Sequence, residues 1–167
     1  MEKFGNNPIP ADSAGGKPFE TMTEKEKLTA VLAALAEDCR VRQKDSVNGM
    51  MAPEFVSVDS EAMTATFRYK VHPWEGNRVG FLHGGIMTTM LDHVCGLTVS
   101  AWLGHWAPTM TMSTDFIRPA NVGDSLLVTA EIISMGSRLI RMRGSIVNEE
   151  SSKLIAACTA TFFNKEA

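Results

Sequence analysis

The residues from 86 to 103 constrain this chain more than any other stretch. At 100° per residue, Ile86, Met90, Val94, Leu97 and Ala101 fill one side of a helix, and Met87, Leu91, Cys95, Thr98 and Trp102 continue round it. What is left is a narrow stripe of Thr88, Thr89, Asp92, His93, Gly96 and Ser100, with Val99 and Leu103 intruding. A helix that is apolar over most of its circumference lies in a core. An aspartate there is unfavourable unless it is hydrogen-bonded or used. Thr88 and Gly96, one turn to either side, leave room round the carboxylate. A glycine in mid-helix costs about 1 kcal/mol against alanine, and close approach of another backbone or a ligand explains that cost.

The rest of the chain supplies a sheet for this helix to lie on. Met1 to Pro18 is rich in glycine, proline and asparagine and has no apolar period, so residues 1–20 read as a flexible tail and 21–167 as one domain. Thr23 with Glu26 three residues on is a capping-box signature. Leu28, Val31, Leu32, Leu35 and Cys39 follow at helical spacing, predicting a first helix that ends near Gln43. Strands are predicted near 50–58 and over 62–71, then 108–118, 124–135, 138–147 and 153–163. A long loop spans 72–84 and the apolar helix runs from about Gly85 to Leu103. Short turns at 119–123, 136–137 and 148–152 join consecutive strands, which makes the sheet antiparallel. The fold class is α+β: helix, two strands, helix, four strands, with the second helix covering the apolar face of the sheet.

Composition narrows the function. The 167 residues carry a formal net charge of −3, so the basic footprint of a nucleic-acid binder is absent. The longest apolar run in the first fifty residues, Val31 to Ala36, is far short of the ~20 residues of a membrane span. No stretch of signal-peptide type occurs in the first twenty residues, which predicts a cytoplasmic protein. Cys39, Cys95 and Cys158 lie far apart with no paired spacing, so reduced thiols are expected and a zinc knuckle is not. No metal is implied.

The start of the apolar helix carries its own chemistry. Gly84 and Gly85 open it, so unpaired backbone N–H groups sit at the positive end of the helix dipole. Without Cβ atoms, a substrate oxygen can reach them, which is one way to build an oxyanion hole from backbone alone.

Asn77-x-x-Gly80-x-x-His83-Gly84-Gly85, followed by Asp92 inside the apolar helix, resembles the hotdog-fold thioesterases, and among them the phenylacetate-degradation acyl-CoA thioesterases. Phe116-Ile117-Arg118-Pro119-Ala120 with Gly123, and Gly136-x-Arg138, are similar to the family's downstream signatures, and the resemblance covers residues 45 to 163. It implies a hotdog fold, an antiparallel sheet wrapped round one long central helix with an extra helix at the N-terminus. It further implies homodimers or dimers of dimers, with active sites shared between subunits. The implied substrate is an acyl-CoA, and no cofactor is needed because coenzyme A is part of that substrate. In the implied roles Gly84 N–H holds the thioester oxygen, and Asp92 is the general base or the nucleophile. Asn77 orients the water or the carboxylate, and Thr109 places a hydroxyl near that water, with Thr111 as the nearby alternative. His83 and Gly85 contact the thioester region, and Arg118 and Arg138 the coenzyme A phosphates.

Each assignment competes with an ordinary structural one. Asp92 equally caps a neighbouring segment in a purely structural reading, Asn77 is a common turn residue, and Thr109 follows Pro108 at a strand start where threonine is frequent. Arg118 and Arg138 also read as solvated strand ends. His93, about 100° round from Asp92, reads as an interface or partly exposed histidine. Two other functions fit the same fold: a hydratase or dehydratase using His83 with Asp92, and a non-catalytic acyl-CoA-binding module.

Overall fold

The computed structural model describes residues 19–164; most of the tail predicted over 1–20 lies outside them. A 3-10 turn at Phe19–Thr21 leads into α1 (Glu24–Val41). Thr23 closes the capping box as the spacing predicts: its hydroxyl accepts from Glu26 N–H and the Glu26 carboxylate accepts from Thr23 N–H. Leu28, Val31, Leu32, Leu35 and Cys39 are all buried. A short helix, α2 (Val47–Met50), follows. It has no sequence signal because tertiary contact fixes it: a Cβ at Gly49 would stand 2.0 Å from the Gln43 carbonyl oxygen.

The six strands are β1 (Glu54–Asp59), β2 (Thr64–Lys70), β3 (Thr109–Phe116), β4 (Ser125–Met135), β5 (Leu139–Asn148) and β6 (Leu154–Phe163). They form one antiparallel sheet in the order β1-β2-β4-β5-β6-β3. Register follows the alternation of the sequence. Leu126, Val128, Ala130 and Ile132 of β4 face inward, as do Ile140, Met142 and Ile146 of β5, and one slipped residue would turn these onto the outer face.

Helix α3 (Gly84–Leu103) lies across the inner face and packs against β2 to β6. Met90, Leu91, Val94, Cys95 and Val99 are completely buried there. Gly104, with φ +76°, ends it in the left-handed conformation. Helix α1 packs beside it on β1. A sheet wrapped round one long helix is the hotdog arrangement, with α1 as the additional N-terminal element.

Among the described residues the last strand in the order, β3, bonds only to β6. Its free edge carries the exposed apolar side chains Met110 and Phe116.

Candidate active site

Asp92 sits near the middle of α3, half-buried, and its Oδ1 accepts a hydrogen bond of 2.7 Å from the Thr109 hydroxyl. Thr109 opens β3 opposite Phe162, whose ring is buried, so its side chain points to the inner face. A bulge at Met110 then sets Thr111 opposite Thr161, outside the buried row of β6. The structure thus selects Thr109 over Thr111 as the partner of Asp92. Oδ2 has no hydrogen-bond partner among the described residues.

The loop before α3 is built to hold its first residues. Pro73–Glu75 forms a 3-10 turn whose N–H at His72 is taken by Glu75 Oε2 at 2.6 Å. The Glu75 carbonyl accepts from His83 N–H at 2.9 Å, and Leu82 N–H bonds to the Ala120 carbonyl. Asn77 Oδ1 accepts from both Val79 and Phe81 N–H, while Gly80, at φ +85°, turns the chain. The side-chain carbonyl of Asn77 is therefore spent on the loop, which leaves its amide N–H groups as the side chain's donors.

His83 caps α3: its Nδ1 accepts from Gly85 N–H at 3.0 Å. An accepting Nδ1 leaves the ring's N–H on Nε2. Gly85 N–H, a substrate contact in the sequence reading, is thus already engaged. Gly84 N–H has no partner among the described residues, and its Cα faces the Phe116 ring, with a Cβ there only 3.3 Å from it. One donor at the helix start is free, and it stands at the far end of β3 from Thr109.

Comparison with known proteins fits these parts. The Thioesterase superfamily model matches residues 79–155. A putative thioesterase of Ralstonia eutropha JMP134, a phenylacetic acid degradation-related protein, is 30% identical, with 71% of this chain and 89% of that one covered and a TM-score of 0.66. The chain belongs to the thioesterase superfamily. Another superimposable structure is a Streptococcus mutans UA159 protein bound to acetyl CoA, 26% identical over 66% of this chain and 86% of that one, TM-score 0.61. Mouse acyl-coenzyme A thioesterase 13 is 28% identical over 88 residues, 52% of this chain. That match spans 63% of the mouse protein's length.

One feature of this superfamily member departs from the sequence reading. His93 is neither partly exposed nor at an open surface: it is 8% exposed. Its Nδ1 meets the Tyr69 hydroxyl at 3.1 Å and its Nε2 the Cys39 thiol at 3.6 Å. Helix α1, absent from any wheel of α3, covers that side. Burial pushes the imidazole pKa down to about 4, and burial with the nearby Asp38 charge pushes the Cys39 thiol up to about 11. The trio is a neutral clasp joining α1, α3 and β2. Sequence gave no sign of it, since its members are 54 and 24 residues apart.

The arginines also separate. Arg118 follows β3 and donates to the Leu154 carbonyl at 2.9 Å, beside a surface cavity that Lys153 and Asn148 also line. Arg138 lies in the β4–β5 turn, where its carbonyl accepts from Asn164 N–H. The β5–β6 and β3–β6 registers put these two residues at opposite ends of the sheet, each beside a strand end. Glu75 went unnoticed in the sequence. The residue is 1% exposed, its Oε1 has no partner among the described residues, and burial raises its pKa. Among the described residues no group of three or more His, Cys, Asp or Glu side chains could hold a metal ion, and no helix is long and apolar enough to cross a membrane.

Proposed function

We propose that this protein hydrolyses an acyl-CoA thioester to a carboxylic acid and coenzyme A. The observation that carries the reading is the half-buried Asp92 carboxylate, held by Thr109 on an otherwise apolar helix. Asp92 Oδ2 takes a proton from water as the water oxygen attacks the thioester carbon. Gly84 N–H holds the charge that gathers on the carbonyl oxygen, aided by the dipole of α3. Collapse breaks the C–S bond and the thiolate leaves with the proton. The Nε2–H of His83 and the amide of Asn77 add donors beside the thioester. No cofactor is required beyond the coenzyme A of the substrate. An accepting Nδ1 on His83 leaves that ring without a free basic nitrogen, which favours hydrolysis over hydration.

Two copies of the chain complete the site. Eight residues of helix separate Gly84 from Asp92 by about 12 Å, whereas one thioester needs both within hydrogen-bond reach of a single carbon centre. Antiparallel pairing of the free β3 edge with that of a second copy, about a two-fold axis, sets the start of one β3 beside the end of the other. Thr109 and Asp92 of one copy then approach Phe116 and Gly84 of its partner. The exposed Met110 and Phe116 are buried by the same step. A dimer is therefore the minimal active unit.

The test is thiol release from acetyl-, hexanoyl-, phenylacetyl- and palmitoyl-CoA by the wild type and by Asp92→Asn. Release that Asp92→Asn lowers by a thousandfold or more, with melting temperature kept, supports the reading. Release unaffected by the substitution removes Asp92 from the mechanism. Saturable binding without release makes the protein an acyl-CoA-binding module.

A further inference from the structure

Gly96 lies one turn, about 6 Å, beyond Asp92 on the same side of α3, and it is half-buried. Glycine is the poorest helix former after proline, so a mid-helix glycine has a local reason or an external one. Backbone conformation supplies none, because Gly96 is not among the residues with positive φ. Packing among the described residues supplies none either. A Cβ at Gly96 would meet only the edge of Phe162, at 3.9 Å, an ordinary contact. The glycines that the fold does need look different. At Gly144 a Cβ would stand 3.0 Å from Cys158 Sγ and 3.1 Å from Leu91 Cδ2, and at Gly49 it would strike backbone.

The space over Gly96 is thus left open by the described residues, and its borders say what it suits. Asp92 is at one end, held by Thr109, and Thr109 is paired in register with Phe162. The far border is closed, since Val99 and Ser100 are both completely buried. A carboxylate at the mouth, an aromatic edge for a wall and a blocked end one turn away suit the apolar group attached to a thioester carbonyl. We infer that the acyl group of the substrate lies over Gly96 against the edge of Phe162, so that Gly96 sets the bulk accepted beside the reacting carbon. The inference rests on the thioesterase reading.

Gly96→Ala and Gly96→Val test it, with acetyl-, hexanoyl- and phenylacetyl-CoA as probes. Because nothing among the described residues opposes a methyl group, Gly96→Ala is expected to raise the melting temperature by about 2–4 °C. The kcat/KM ratios of hexanoyl- and phenylacetyl-CoA to acetyl-CoA are expected to fall at least tenfold in Gly96→Val and by less in Gly96→Ala. Unchanged ratios would overturn the inference. So would a lower melting temperature for Gly96→Ala, which would show that the chain itself needs the glycine. A smaller oligomer by light scattering would do the same, assigning the space to the neighbouring subunit. If the wild type releases no thiol from any probe, the thioesterase reading fails. The inference is then decided by calorimetric Kd ratios for the same probes: a tenfold shift in Gly96→Val upholds it and no shift overturns it.

Discussion

Thr109 Oγ1 donates to Asp92 Oδ1 over 2.7 Å, tying the first residue of β3 to the middle of α3. The bond leaves Oδ2 without a partner among the described residues and restrains the carboxylate. Thr109→Val keeps the shape and removes the donor. It is expected to lower kcat about tenfold to a hundredfold, the scale of a small misplacement of a reacting group, with a lesser change in KM. Thr109→Ser, which restores the hydroxyl, should recover most of the loss. Equal kcat for valine and threonine in steady-state thiol-release assays would show that the bond is structural only.

Burial of His93 makes stability depend on pH. Its folded pKa of about 4 lies below the ordinary 6.5, so the unfolded chain binds the proton more readily. Stability is therefore full above pH 6.5 and is lost as pH falls towards 4. Between pH 7.5 and 5 the loss from this residue amounts to about 2 kcal/mol. Glu75, whose carboxyl pKa burial raises, works in the opposite sense, so the comparison must be with a variant. Urea midpoints of the wild type should drop over that range, and those of His93→Gln should drop less. Parallel curves would exclude His93 as the cause.

Much of the fold is legible in the sequence because its elements are periodic. The six strands and two long helices stand within a few residues of their expected places, and the capping box of α1 is readable from Thr23 and Glu26 alone. Helix α2 is not, since it depends on Gly49 meeting the end of α1. The same division holds for the site. Asp92 is conspicuous because a charge interrupts an apolar helix. Gly84 is conspicuous because two glycines open it, although only the structure shows that His83 takes Gly85 and leaves Gly84. Glu75 and the Cys39–His93–Tyr69 clasp carry no local pattern: a buried carboxylate in a loop and an exposed one share the same letter.

Gly144 and Gly49 are expected to resist substitution for packing reasons. At Gly144 a methyl group meets Cys158 Sγ, Leu91 and Cys95 Sγ within 3.4 Å, in the centre of the core. Overpacking of this kind costs about 1–3 kcal/mol, so Gly144→Ala should melt lower by several degrees. Gly49→Ala should cost more, because the obstacle is the Gln43 carbonyl rather than a side chain. Differential scanning calorimetry reads both. A Gly49→Ala variant as stable as the wild type would mean that α2 detaches from α1 freely.

Glu75 roots the loop that carries His83 and Gly84. Its carboxylate holds His72 N–H while its carbonyl holds His83 N–H. Glu75→Ala leaves the partly buried His72 N–H unpaired, at a cost of up to about 1–3 kcal/mol, and loosens the residue before the Gly84 donor. Turnover should fall further than stability alone explains, as a loss of kcat measured well below the melting temperature. Glu75→Gln retains an acceptor for His72 and should keep most of the activity. Equal activity in the alanine and glutamine variants would limit Glu75 to a stabilising role.

The proposed shared site makes a prediction that no single-chain site can meet. Gly84→Pro removes the free N–H and suits the first position of a helix, and His83, at φ −66° and ψ 133°, already has the conformation a following proline requires. Asp92→Asn removes the proposed base. Each variant alone should be inactive. Subunits of the two, unfolded together and refolded as a mixture, form heterodimers in which one site draws Gly84 from one chain and Asp92 from the other, both intact. Random pairing makes half the dimers mixed, with one working site in two, so about a quarter of wild-type activity should return. Activity that stays at the level of the separate variants, with heterodimers confirmed by mass spectrometry, would place Gly84 and Asp92 in separate roles within one chain.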